Sequence, residues 1–122
     1  MVHVVIVEDE EIMQGLVEHI VTMLGWTYES AANGTMGLQV IQRVVPDLVI
    51  SDVGMPGMNG LELLTAMKED PRLAAVPVVL LSSIDREAEA REAGCAAYLT
   101  KPFTLEALLQ LLPQLVPAQG PE

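Results

Sequence analysis

The chain has 122 residues, 51% of them hydrophobic, and its 17 acidic and six basic residues give a formal net charge of −11 at pH 7. This length fits one domain with a buried core, and the single cysteine excludes a disulfide framework and suits a reducing, cytoplasmic compartment. The acidic surplus disfavours direct binding of nucleic acid or an anionic membrane surface, and no apolar run reaches the roughly 18 residues of a membrane span.

Apolar runs and helical patterns alternate along the sequence. In chain order we predict a strand over residues 2–7, a helix over 10–24, a strand over 26–31, a helix over 35–44, a strand over 48–50, a helix over 61–67, a strand over 76–81, a helix over 85–93, a strand over 96–100 and a helix over 104–112. Asn33 and Thr104 are predicted N-caps. Residues 1–116 then form one domain, and residues 117–122 form a loose tail.

The first helix is predicted to bury one apolar stripe, made of Ile12, Leu16, Ile20 and Leu24. The fourth helix is mostly charged, so few of its side chains can face inward. The candidates are Ile84, Ala88 and a neighbouring alanine. We therefore expect the fourth helix to be weakly held and mobile.

The fifth helix carries two apolar stripes. The first should pack on the sheet and consists of Leu105, Leu108, Leu109 and Leu112. The second lies beyond it and consists of Ala107, Leu111 and Leu115. A monomer is expected to leave Leu111 in water.

Five strands alternating with five helices predict a parallel α/β sheet covered on both faces, and ligands of such sheets lie beyond the carboxyl ends of the strands. The informative residues are those that follow the first, third, fourth and fifth apolar runs: Glu8, Asp9, Asp52, Ser82 and Lys101. Asp47 precedes its strand, at the other end of the sheet, and we interpret it as structural.

These residue types suit phosphoryl chemistry around a hard cation. Clustered carboxylates repel one another unless a divalent cation lies among them, and oxygen ligands favour Mg²⁺ or Mn²⁺. One carboxylate can attack a phosphoryl group while the cation and Lys101 neutralise the phosphoryl oxygens. Each residue alone has a plainer interpretation, as a helix-start acid, a turn aspartate, a strand-end hydroxyl or a surface lysine. Glu10 and Glu11 are interpreted only as helix-start acids.

The sequence resembles the response-regulator receiver domains of two-component signalling, and in length it is similar to the free-standing chemotaxis type. The resemblance runs from residue 4 to about 112. It is carried by residues 5–10 (VIVEDE), 46–52 (PDLVISD), 55–60 (MPGMNG), 77–82 (PVVLLS) and 94–103 (GCAAYLTKPF). It implies a doubly wound, flavodoxin-like (βα)₅ fold with the strand order 2-1-3-4-5.

The resemblance also implies a role for each site residue. Asp52 would accept the phosphoryl group, and Lys101 would pair with it. Mg²⁺ would be held by Glu8, Asp9, Asp52 and the backbone carbonyl of Gly54. Ser82 would bond to the new phosphoryl oxygen, and Tyr98 would turn inward when Ser82 moves. The peptide bond before Pro102 would be cis. Glu8 stands where Asp is common in the family, so its longer side chain could act through water.

The implied activity is a cytoplasmic phosphorelay switch and not a turnover enzyme, although the chain would catalyse its own phosphorylation and a slow dephosphorylation. The phosphoryl donor would be a histidine kinase or a phosphotransfer protein. The output would be a protein target or a second copy, bound through the face formed by the fourth helix, fifth strand and fifth helix.

Three alternatives compete with this interpretation. A flavin-binding domain would need a phosphate loop after the first strand, and that loop is acidic here. A phosphatase with an aspartate nucleophile would need a second acid two residues after Asp52, where Gly54 stands. The third alternative is a receiver-like interaction module that works without phosphorylation.

Overall fold

The structure is a computed structural model that describes residues 1–116, so the predicted loose tail lies outside the described residues. Five strands and five helices alternate and are followed by a short 3₁₀ helix. Their bounds are β1 (His3–Val7), α1 (Glu11–Met23), β2 (Thr27–Ala31), α2 (Gly34–Val44), β3 (Leu48–Asp52), α3 (Gly60–Glu69), β4 (Val78–Ser82), α4 (Glu87–Glu92), β5 (Ala97–Thr100), α5 (Leu105–Leu111) and the 3₁₀ helix (Leu112–Leu115). None of the described helices is long and apolar enough to cross a membrane.

All strand pairings are parallel, and the strand order is β2-β1-β3-β4-β5, which confirms the predicted doubly wound sheet. The strands alternate between two apolar clusters. In β1, Val5 and Val7 face the cluster that α2, α3 and α4 cover, whereas Val4 and Ile6 face the cluster that α1 and α5 cover. Because these strands are parallel, the carboxyl ends of β1, β3, β4 and β5 lie at one edge of the sheet.

The N-terminal ends of two helices are fixed as the sequence predicts. Asn33 Oδ1 accepts the Met36 N–H at 2.8 Å, and Thr104 Oγ1 accepts the Ala107 N–H at 3.0 Å. Glycine is also needed inside α2, because a Cβ at Gly37 would lie 2.6 Å from Val7 Cγ2. The close approach of α2 to β1 therefore accounts for a residue that costs a helix about 1 kcal/mol relative to alanine.

The predicted stripe of α1 is wrong at its first residue. Ile12 is 83% exposed, and the buried side chains of α1 are Val17, Ile20 and Val21. Each residue turns a helix by about 100°, so Ile12 lies about 80° around the axis from Ile20. The core-facing stripe is centred on the later residues, and Ile12 falls outside it.

The predicted inward residues of α4 are wrong in two cases. Ile84 and Ala88 face solvent, and Ala90 is the buried residue of this helix. The helix also begins at Glu87, because the Arg86 N–H donates to the Tyr98 hydroxyl at 3.0 Å and the chain before it follows a non-helical path. Residues 83–86 therefore form a loop that carries Ile84 to the surface.

The predicted faces of α5 need two corrections. Leu108 and Leu112 are buried as expected, but Leu105, the first residue of the helix, is 37% exposed. Leu111 is not left in water, because it is half-buried against the cluster under α1 and α5. The α-helix gives way to a 3₁₀ helix at Pro113, which lacks an N–H, and α5 also packs on α1. The contact of α5 with α1 fits the partial burial of Leu111.

Candidate functional site

The carboxyl ends of four strands surround an open cleft of about 660 Å³. Glu8 follows β1, Asp52 and Ser82 end β3 and β4, and Lys101 follows β5. All of these side chains line the cleft, together with Asp9, Glu10, Gly54, Ser83 and Ile84. The structure therefore brings together the predicted phosphoryl acceptor, metal ligands, hydroxyl and lysine, whereas Tyr98 and Pro102 do not line the cleft. Asp47 lies at the opposite edge, where its Oδ2 accepts the His3 N–H at 2.8 Å.

Three carboxylates lie close enough to share a cation. Glu8, Asp9 and Asp52 each offer an oxygen, and these oxygens all lie within 4.8 Å of one another. Two of the residues are buried and Asp9 is exposed, so solvent water has access to the group. Oxygen donors of this kind, with room for water, suit Mg²⁺ or Mn²⁺ and do not suit zinc.

Lys101 is the cation that the protein itself supplies. Its Nζ lies 3.0 Å from Asp52 Oδ1 and 3.2 Å from Glu8 Oε1. Burial acts to lower the pKa of Lys101, but the bonds to Asp52 and the charge of Glu8 outweigh it and raise that pKa. The ammonium group is therefore held charged beside Asp52. Burial is also the main reason why the pKa of Glu8 is raised, and the charge of Asp52 adds to it.

A second group of contacts links the cleft to the α4 side of the domain through one backbone carbonyl. The Ser82 hydroxyl donates to the Ile84 carbonyl oxygen at 2.8 Å and accepts the Ile84 N–H at 3.1 Å. The Tyr98 hydroxyl donates to the same carbonyl oxygen at 2.5 Å and accepts the Arg86 N–H. Tyr98 is buried and already lies inward in this structure.

Two positions on the rim of the cleft carry no polar side chain. Gly54 has no side chain, and a Cβ placed there would meet nothing within 4 Å. Ile84 is 56% exposed and apolar. Beside Ser82, the Lys101 N–H donates to the Ser82 carbonyl oxygen at 2.7 Å, and the Lys101–Pro102 peptide bond is cis.

Two features of the site are missed by reasoning from sequence. Glu10, interpreted only as a helix-start acid, lines the cleft, and its backbone N–H donates to Glu8 Oε2 at 3.2 Å. The Ile84 carbonyl joins Ser82 to Tyr98. Both contacts use backbone atoms, which every residue has, so no residue type signals them. The only signal in the sequence is the spacing: Glu10 follows Glu8 by two positions, and Ile84 follows Ser82 by two positions.

Comparison with known proteins gives a consistent result. The family model described as "Response regulator receiver domain" matches residues 4–113. The chemotaxis protein CheY of Pseudomonas aeruginosa is 32% identical over 116 residues, which are 92% of this chain and 94% of that protein. The solved structure of the chemotaxis response regulator CheY4 of Vibrio cholerae superposes with a TM-score of 0.89 at 30% identity, over 95% of this chain and 99% of that one.

Other relatives are longer proteins. The probable transcriptional regulatory protein TcrX of Mycobacterium tuberculosis is 35% identical over 124 aligned residues. The alignment covers 98% of this chain but only 51% of TcrX. The same kind of domain therefore occurs both alone and as one part of a larger protein among the relatives.

Proposed function

This chain belongs to the family of response regulator receiver domains of two-component systems, and from that premise we propose that Asp52 accepts a phosphoryl group in a Mg²⁺-dependent step. The donor is a histidine kinase or a phosphotransfer protein. One observation carries the proposal: the Asp52 carboxylate lies in an open cleft, 3.0 Å from the Lys101 ammonium and among the oxygens of Glu8 and Asp9.

The step forms one bond and breaks another. An Asp52 carboxylate oxygen attacks phosphorus, the P–N bond to the donor histidine breaks, and its electron pair leaves with the imidazole nitrogen. Lys101 donates to a phosphoryl oxygen and offsets its negative charge. The product is an acyl phosphate on Asp52.

Glu8, Asp9, Asp52 and the Gly54 backbone carbonyl would hold Mg²⁺, which Mn²⁺ can replace. When bound, the cation offsets the repulsion between the carboxylates and the incoming phosphoryl group. Gly54 lines the same cleft as the three carboxylates, which supports a role for its carbonyl oxygen as a ligand.

The change at Asp52 is relayed through Ser82. If the Ser82 hydroxyl turns to a phosphoryl oxygen, the Ile84 carbonyl loses one of its two hydroxyl donors and keeps Tyr98. The loop before α4 then rearranges around Tyr98, whose hydroxyl bonds to both Ile84 and Arg86. The relay alters the face formed by α4, β5 and α5, because Tyr98 belongs to β5 and the loop leads into α4.

The domain then acts as a switch in the cytoplasm and not as a turnover enzyme. Its output is binding of a protein target or of a second copy through the α4–β5–α5 face. The net charge of −11 argues against direct contact with nucleic acid or an anionic membrane.

The phosphorylation site can be tested with acetyl phosphate as the donor and intact mass as the readout. Wild-type protein should gain the mass of one phosphoryl group when Mg²⁺ is present and none when Mg²⁺ is chelated. The Asp52→Asn variant should gain none, because its amide is a far weaker nucleophile. Asp47→Asn, an aspartate at the other edge of the sheet, is the matched control and should be labelled like wild type. Equal labelling of wild type and Asp52→Asn would refute the assignment of Asp52.

The alternative is an interaction module that keeps the fold and works without phosphorylation. The Ser82–Ile84–Tyr98 contacts would then serve only to order the loop before α4. Wild-type protein that stays unlabelled with both acetyl phosphate and phosphorylated donor proteins would favour this alternative.

A further inference from the structure

Lys101 is held from two sides by buried or nearly buried carboxylates. Its side chain is 16% exposed and bridges Asp52 Oδ1 and Glu8 Oε1, at 3.0 and 3.2 Å. The side chain of Glu8 is only 2% exposed. A buried carboxylate this close to an ammonium group fixes its position far more firmly than an exposed one.

Both carboxylate oxygens of Glu8 already have partners within the protein. Oε1 accepts from Lys101, and Oε2 accepts the Glu10 backbone N–H at 3.2 Å. Asp9 differs, since it is exposed and the described part of the chain offers its carboxylate no hydrogen-bond partner. The Glu10 N–H orients the Glu8 carboxylate, and the oriented carboxylate receives Lys101.

We propose that Glu8 is a positioning residue that anchors the Lys101 ammonium at Asp52, which deepens the proposed function of this site. An ammonium group has three N–H donors. Glu8 and Asp52 take two, and the third is left for the cleft. When Asp52 carries a phosphoryl group, Lys101 keeps its bond to Glu8 and gives its other donors to phosphoryl oxygens. The longer side chain of Glu8, relative to Asp, supplies the reach to Lys101.

The test uses the ammonium groups themselves, in metal-free and unphosphorylated protein. The chain has only two lysines, Lys68 and Lys101, so their side-chain ¹⁵N signals are easily told apart. Lys68 is exposed and donates to the Ala74 carbonyl, which makes it an internal reference. In wild type, hydrogen exchange of the Lys101 ammonium with water should be at least several-fold slower than that of Lys68.

Two substitutions of Glu8 should remove one of the two carboxylate contacts of Lys101. Glu8→Asp keeps the charge and loses the reach, and Glu8→Gln keeps the reach and loses the charge. In both, exchange at Lys101 should be several-fold faster than in wild type, although the ion pair with Asp52 still keeps it slower than exchange at Lys68. Glu10→Gln removes an acid from the same cleft without touching the Lys101 contacts, so it should leave Lys101 as in wild type. Unchanged exchange at Lys101 in the Glu8 variants would overturn the proposal.

Asp52→Asn separates the two anchors without altering Glu8, so it decides the matter even if the Glu8 variants do not fold. Lys101 should stay slow in Asp52→Asn, because Glu8 still holds it. Exchange as fast as that of Lys68 would show that Asp52 alone held Lys101, and the proposal would be wrong.

Acetyl phosphate then reports the consequence for the reaction. At saturating Mg²⁺, labelling of Glu8→Asp should be slower than that of wild type, by up to about tenfold, since Lys101 keeps Asp52 but loses the second carboxylate that positions it. A wild-type rate in Glu8→Asp would contradict the positioning role. Absence of labelling in wild type itself would refute the proposed function and leave the exchange result standing.

Discussion

Gly54 and Ile84 stand on the rim of the cleft, two residues after Asp52 and two residues after Ser82. Hydrolysis of an acyl phosphate needs an oriented water. Gly54 has no side chain and the exposed Ile84 side chain is apolar, so neither can hold that water. The acyl phosphate on Asp52 should therefore decay slowly.

The double variant Gly54→Asn, Ile84→Glu supplies two polar groups at the same positions. Its acyl phosphate should decay roughly tenfold faster or more, which the loss of phosphoryl mass after removal of the donor would measure. Gly54 has open space for the new side chain. Ile84→Leu keeps an apolar side chain and should decay like wild type. Decay in wild type as fast as in the double variant would show that the water is oriented by other groups.

Individual site residues could be predicted because their positions follow from the sheet. Asp52 ends an apolar run and Lys101 follows another, and parallel strands bring such ends to one edge. The links between them could not be predicted in the same way. The bonds from Glu10 to Glu8 and from Tyr98 to Ile84 depend on backbone atoms and on the path of a loop.

The edge strand β2 is linked to β1 and α2 by hydrogen bonds of one partly exposed carboxylate. Glu29 in β2 bonds through Oε1 to Arg43 at 2.8 Å and through Oε2 to His3 at 2.9 Å. The Arg43 guanidinium, and then His3, hold the pKa of Glu29 below its usual value near 4.5. A carboxyl whose pKa is lower in the folded state stabilises that state above about pH 4.5, and the contribution is lost as the pH falls further.

Glu29→Gln should therefore lose less stability than wild type on acidification below about pH 4.5. Urea unfolding near neutral pH and near pH 3 measures the difference, which should be about 1 kcal/mol or less because the groups are partly exposed. Glu69→Gln, which removes an exposed acid without an ion pair among residues 1–116, should follow the wild-type curve. A Glu29→Gln curve parallel to wild type would show that these bonds contribute nothing.

The type and order of the helices and strands could be predicted from the sequence. Which side of each helix is buried could be predicted only in part. The β-branched runs and the caps at Asn33 and Thr104 specify where elements lie. The sequence predicts that Ile12 is buried, which is wrong because helical spacing alone does not show where the buried stripe is centred. Leu111 was misplaced because coverage by α1 depends on packing between distant segments.

For the domain as a unit, the proposed switch predicts that phosphorylation changes its association. Self-association through the α4–β5–α5 face would bury apolar side chains that are exposed in the monomer. Leu105 is the exposed leucine of α5, and it is a better probe than the half-buried Leu111. Light scattering of wild type with a phosphoryl mimic should give a higher mass than without it.

Leu105→Glu should remain monomeric with the mimic, because a charge at the contact opposes burial of this face. Met36→Glu places the same change on an exposed residue of α2, which packs on β1 and β2 near the sheet edge opposite β5, and should behave like wild type. A monomer in every condition would exclude the second copy as the partner and leave a different protein.

At Ile84, the backbone carbonyl and the side chain have separate roles in the proposed switch. In the proposed relay, residue 84 passes the signal through its backbone oxygen, which no substitution of the side chain removes. Its side chain is exposed at the rim of the cleft, where a polar replacement is expected to speed hydrolysis of the acyl phosphate. Substitution of the side chain at position 84, in evolution or in an engineered sensor, should thus change the lifetime of the acyl phosphate. The hydrogen bonds from Ser82 and Tyr98 to the carbonyl of residue 84 would remain.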